Sequence, residues 1–150
     1  MKKMILTMCV LGMLPGLGMA FDGELKFSKK QYGMTHQITV SNWQVDKKGV
    51  PSFDYVYSHK GAACAYEIRG TAQALMEDNG KPVVINSGSG AEEEQIIPFS
   101  DKTVDFAFPY KKKEVGDYLG FTQKFTPAML KNTCVKKAGL FEVNFLKSGK

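Results

Sequence analysis

Arginine is almost missing from this chain of 150 residues: Arg69 is the sole one among 20 basic side chains. A surface charged by lysine suits solubility better than the forked, bidentate recognition of phosphate that guanidinium provides. The net charge is +5, and Lys2 and Lys3 carry two of those charges, which leaves about +3 from Phe21 onward. That excess is mild and scattered, without the concentrated basic face of a nucleic-acid binder. Histidine occurs only at His36 and His59, too few for a metal cluster. There is no Cys-x-x-Cys redox pair, no Gly-x-Ser-x-Gly elbow to strain a serine nucleophile and no lysine-bearing phosphate loop. Nor is any apolar run long enough to span a bilayer, which takes about 20 residues. Catalytic residues, cofactor, metal and nucleic-acid partner are therefore all expected to be absent.

The first twenty residues form a distinct segment. Lys2 and Lys3 precede the uncharged run Met4 to Leu14, Pro15 and Gly16 break it, and Gly18 and Ala20 are small residues placed for a signal peptidase. Residues 1–20 read as a secretory signal, with a mature protein of 21–150 that is exported to the periplasm or beyond. Once the signal is cleaved no stable membrane insertion is expected. A segment of that size is a common single domain and can bury a core of its own. Cys9 leaves with the signal, and Cys64 and Cys134 remain as an even pair in an oxidising compartment, so a disulfide between them is expected. Closing a loop of about 70 residues would remove roughly 4 kcal/mol of unfolded-state freedom on the chain-entropy model.

Most of residues 21–150 alternates with a period of two, the mark of half-buried strands. Leu25 and Phe27 open the series. Ile38 and Val40 belong to a strand that changes phase before Trp43 and Val45, as at a bulge or turn. Lys47-Lys48-Gly49 reads as a loop. Phe53, Tyr55 and Tyr57 alternate until Ser58-His59-Lys60-Gly61, and Cys64, Tyr66 and Ile68 share one face opposite Ala65, Glu67 and Arg69. Asp78-Asn79-Gly80 predicts a hairpin turn of the two-residue Asn-Gly kind, with Val83, Val84 and Ile85 as the next strand. Pro98 puts the strand of Ile96, Ile97 and Phe99 at an edge. Val104, Phe106 and Phe108 form another, and Phe141, Val143 and Phe145 the last. Thr126-Pro127 is a good helix start, predicting one short helix over 127–132. The expected fold is all-β: one antiparallel barrel or sandwich of about eight strands with that single helix.

Each chemically suggestive group has a plainer explanation beside it. His59 and Cys64 would both suit zinc, yet two ligands are not a site and Cys64 is better used in the disulfide. The acidic groups Asp22/Glu24, Glu77/Asp78 and Glu92–Glu94 lie in turns or solvated runs, away from the burial that acid catalysis needs. Lys111–Lys113, beside Phe108 and Tyr110, read as a solubilising loop. The remaining feature is the polar loop Asn86 to Glu94, held between two strands, where binding tends to reside on a rigid sheet. Its candidate partner-binding residues are Ser87, Gly88, Ser89, Gly90 and Glu92.

At this loop, and at Cys64 with Gly70-Thr71-Ala72, the chain resembles the small periplasmic lysozyme inhibitors of Gram-negative bacteria. The resemblance implies an exported antiparallel β domain that inserts a Ser-Gly loop, here Ser87-Gly88 or Ser89-Gly90, into an enzyme's catalytic cleft. Lysozyme is itself basic, and Glu92–Glu94 supply the opposite charge locally. Three functions follow in order of preference: a protein that blocks a cell-wall hydrolase or a delivered toxin; a small-ligand carrier whose ten phenylalanines and six tyrosines line a lipocalin-like interior; and, last, an enzyme.

Overall fold

The alternating segments become nine strands: β1 (Glu24–Gln31), β2 (Met34–Val45), β3 (Pro51–Lys60), β4 (Ala65–Ala74), β5 (Ile85–Ser87), β6 (Glu94–Ser100), β7 (Val104–Pro109), β8 (Tyr118–Gln123) and β9 (Glu142–Lys147). The computed structural model describes residues 21–150 except 22, 32, 63, 88–93, 111–117, 125, 128–130, 132–133, 135–141 and 148–150, with backbone alone at 87 and 142–147. The expected signal segment and most of the helix expected at 127–132 lie outside the described residues.

All strand pairs are antiparallel, in the order β4-β3-β2-β1-β9-β8-β7-β6-β5, and a further β4–β6 pairing makes the sheet a barrel-like ring. Eight strands form the ring, and β5 hangs on β6 outside it. The ring consists of two four-stranded meanders, β1–β4 and β6–β9. One seam pairs Phe27 with Lys147 and Ser28 with Leu146; the other pairs Gln73 with Ser100 and Ala74 with Phe99.

Inward positions on the strands supply one core: Phe27, Ile38, Val40, Phe53, Tyr55, Tyr57, Ile97, Phe99, Val104, Phe106, Phe108, Leu119 and Phe121 are all buried. Phe53 meets Phe99, Phe106 and Phe108 at ring-centroid distances of 5.0, 5.2 and 5.1 Å, and Tyr57 meets Phe121 at 4.6 Å. Tilted and edge-on ring pairs of this kind contribute about 0.5–1.5 kcal/mol each beyond their area. Phe21 packs on Trp43 at 5.3 Å and on Phe108 at 6.3 Å, covering the end of the barrel where β1 begins.

Three details differ from the sequence expectations. Gly80 has φ +78° and its N–H bonds to the Glu77 carbonyl, while Glu77 bonds to Lys81, so the turn has three residues and ends in a left-handed glycine. Leu75 follows β4, and its carbonyl accepts from Val83, so the next true strand starts only at Ile85. Pro98 lies inside the ring rather than at an edge. Its carbonyl accepts from Leu75 N–H, and Leu75 turns its own carbonyl to Val83, so no donor is missed at the proline. The phase change in β2 is a bulge between Ser41 and Gln44, with Asn42 at φ 54°.

Candidate functional site

The β5–β6 hairpin carries the loop singled out from the sequence. Its ladder pairs Ile85 with Ile96, Asn86 with Gln95 and Ser87 with Glu94. Tyr110 N–H donates to the Gln95 carbonyl at 2.8 Å, so the end of β7 widens the neck to three strands. Ile85, Asn86, Gln95 and Tyr110 are exposed there. Ser87 is thus set at the last pair of the neck, in register with Glu94; Gly88, Ser89, Gly90 and Glu92 lie outside the described residues.

The connection between β3 and β4 sits at the other end of the barrel, where a polar cluster occupies the interior. Strand β3 does not close at Ser58 but runs to Lys60, which carries the inward alternation of Phe53, Tyr55 and Tyr57 on to His59. His36 continues the Ile38–Val40 face of β2 in the same way and is paired with His59 across the strands. Both are buried, with rings 4.9 Å apart. His36 Nδ1 shares a 3.0 Å hydrogen bond with the Tyr57 hydroxyl, His59 stacks on Tyr66, and Tyr66 donates to Gln123 Oε1 at 2.8 Å. Burial, with the neighbouring His59 and Lys29 charges, lowers the His36 pKa to about 4; burial also lowers that of His59. Both imidazoles are therefore neutral at pH 7. The disulfide Cys64–Cys134 lies at this end, with Cα atoms 5.5 Å apart, and Gly61 N–H bonds to the Cys64 carbonyl.

A third cluster locks the β6–β7 turn. Asp101 Oδ1 accepts from the Thr103 and Val104 backbone N–H groups at 2.6 and 2.8 Å, and Asp101 Oδ2 accepts from the Tyr55 hydroxyl at 2.5 Å. Burial pushes the Asp101 carboxyl up, but the bonds from Tyr55, Thr103 and Val104 outweigh it and hold its pKa below the usual value. Burial and the same carboxylate raise the Tyr55 pKa, so the phenol stays protonated and donating. Tyr55 and the histidine pair are buried supports of the barrel, and Asp101 is a half-buried one. The sequence does not single out Asp101 and Tyr55 as partners, and the strand expected to close at Ser58-His59-Lys60-Gly61 in fact carries the odd-number alternation from Phe53 on to His59, the one signal that could have placed that residue inside.

On the outer face of β1–β4 an open depression of about 400 Å³ is lined by Lys26, Gln37, Thr39, Ser58, Lys60 and Glu67, with mixed charge and no convergent polar cluster. Among the described residues no group of three or more His, Cys, Asp or Glu side chains could hold a metal, and no helix is long and apolar enough to cross a membrane. No family model, curated protein or solved structure matches the chain.

Proposed function

We propose that this chain is an exported, non-enzymatic protein that binds and blocks another protein through the β5–β6 hairpin, the target being a lysozyme-type cell-wall hydrolase or a delivered toxin. The observation that carries this reading is that β5 does nothing for barrel closure. The ring closes through β4 and β6, and β5 is a three-residue strand whose Ile85 and Asn86 side chains stay exposed. Its structural effect is to hold the Ser-Gly loop on a rigid support, which lowers the ordering cost of binding. The Cys64–Cys134 disulfide fits export to the periplasm or medium. The interlocked rings of Phe53, Phe99, Phe106 and Phe108 favour this reading over a hydrophobic-ligand carrier, because they occupy the space a lipocalin leaves for cargo.

A pull-down with lysozyme and with periplasmic extract tests it, repeated after changing Ser87, Ser89 and Glu92 to alanine. Capture of a hydrolase by the wild type and its loss in the triple variant is the expected result. Retention by the variant would remove the loop from the interface. A tightly bound small molecule in native mass spectra of fresh protein would favour the carrier instead.

A further inference from the structure

Among the described residues five large apolar side chains are conspicuously exposed, and four of them, Leu75 (48%), Ile85 (43%), Val84 (37%) and Tyr110 (37%), lie on or beside the β5–β6 hairpin. Two of these, Leu75 and Ile85, with their neighbours Val83, Ile96 and Pro98, make a continuous surface on the outside of the sheet. Ile85 and Ile96 are a direct cross-strand pair, and so share a face. Pro98 lies two residues along β6 on that face. Leu75 bonds to Pro98 through its N–H and accepts from Val83 through its carbonyl. Val83 and Ile96 are half-buried, and neither belongs to the hydrophobics packed against the core. Exposed apolar surface of this contiguity, rimmed by polar groups, marks a contact site more often than a bare flank.

The rim carries the opposite charge to the rest of the protein. Among the described residues, Glu77 and Asp78 in the turn after Leu75 and Glu94 at the hairpin neck border the patch beside Lys81, and Lys124, next to Ser100 on the same face of β6, is paired with Asp105; the chain from Phe21 onward carries about +3. We infer that this face, Leu75, Val83, Ile85, Ile96 and Pro98 inside an acidic border, is a second contact region that takes the basic, apolar-centred flank of the hydrolase whose cleft receives the loop. The inference rests on the inhibitor reading and names the chemistry of its partner. Carboxylates at the rim steer a cationic protein and speed its approach, while desolvated aliphatic groups at the centre slow its departure.

The test measures binding of a basic c-type lysozyme by surface plasmon resonance at two salt concentrations. It compares the wild type with Leu75→Ser/Ile85→Ser, with Glu77→Lys/Asp78→Lys, and with Ser87→Ala/Ser89→Ala. The changed side chains of the first two variants are solvent-exposed, and thermal melts check that each folds as the wild type does. Loss of the aliphatic pair is expected to weaken binding about tenfold or more, mainly through faster dissociation. Charge reversal is expected to slow association and flatten its dependence on salt. Wild-type affinity in both surface variants, with binding lost in the loop variant, would overturn the second region and leave the inhibitor reading in place. Weakening in the surface variants with an unaffected loop variant would keep this face and remove the loop. Absence of any complex with the wild type would overturn both.

Discussion

Tyr55 reaches Asp101 across Gly70, its register partner in β4. A Cβ at residue 70 would stand 2.7 Å from Asp101 Oδ2 and 2.9 Å from the Tyr55 hydroxyl, and neither atom is at liberty to move. The phenol belongs to a ring packed on Phe106 at 5.0 Å, and the carboxylate is fixed by two backbone N–H groups. Gly70→Ala should therefore cost about 1–3 kcal/mol by overpacking, and Tyr55→Phe about 1 kcal/mol by taking the phenol donor from the half-buried Asp101 carboxylate. In the double variant the alanine penalty should shrink, because the hydroxyl it would strike is gone. Urea unfolding of the four proteins measures that coupling, and strict additivity would show that the two sites do not touch.

The buried histidines add a pH dependence. An unfolded histidine takes up its proton near pH 6.5, while His36 in the barrel does so only near pH 4, so between those values the unfolded chain binds more protons. Stability should thus be full above pH 6.5, fall as the pH drops towards 4, and lose nothing further from this group below that. The loss from His36 amounts to about 3 kcal/mol. His36→Gln should flatten the slope across that window in urea melts at pH 7, 5.5 and 4; an unchanged slope would place the sensitivity elsewhere.

At the scale of elements, the strands were legible where one face is buried and the other wet. Phe53-x-Tyr55-x-Tyr57 and Val104-x-Phe106-x-Phe108 could be assigned because a shift of one residue would expose every ring. The boundaries were less legible. Ser58-His59-Lys60-Gly61 resembles a turn by composition, yet pairing with Thr35 and His36 carries β3 through it. Asp78-Asn79-Gly80 was recognisable as a turn, but not as a three-residue one, because both forms accept Gly at the left-handed position. Gly80→Ala should cost about 1 kcal/mol there, seen as a lower melting temperature with the barrel intact. The hairpin was legible only as a polar loop between apolar runs; that its outer face gathers Leu75, Val83 and Ile85 depends on pairings between segments distant in sequence.

At the scale of the molecule, the two meanders meet along seams in which two residue pairs each are described, extended by the Leu75 N–H to Pro98 carbonyl bond, and side chains add further links between them. Tyr55 joins β3 to the β6–β7 turn, Tyr66 joins β4 to Gln123 at the end of β8, and Cys64–Cys134 ties the β3–β4 connection to the one before β9. The disulfide closes a separation of 70 residues and bridges both halves, so its removal frees the unfolded chain and loosens the end that holds the histidine pair. Cys64→Ser/Cys134→Ser should lower stability by about 2–5 kcal/mol in guanidinium unfolding. A change much smaller than that would mean that the core and the tyrosine links suffice to hold the meanders together.

The sequence by itself determined the strand character, the pairing of the two cysteines and the inward set of aromatic residues, because each follows from local periodicity or from a choice with one sensible partner. Tertiary structure alone decided that the sheet closes into a ring rather than splitting into a sandwich, that β5 stays outside it, and that Gly70 stands between Tyr55 and Asp101. Those outcomes depend on β4 pairing with β6 across the β5 excursion and on β1 pairing with β9 at the far ends of the chain. A period-two pattern tells which face of a strand is buried, but carries no information about which strand lies beside it.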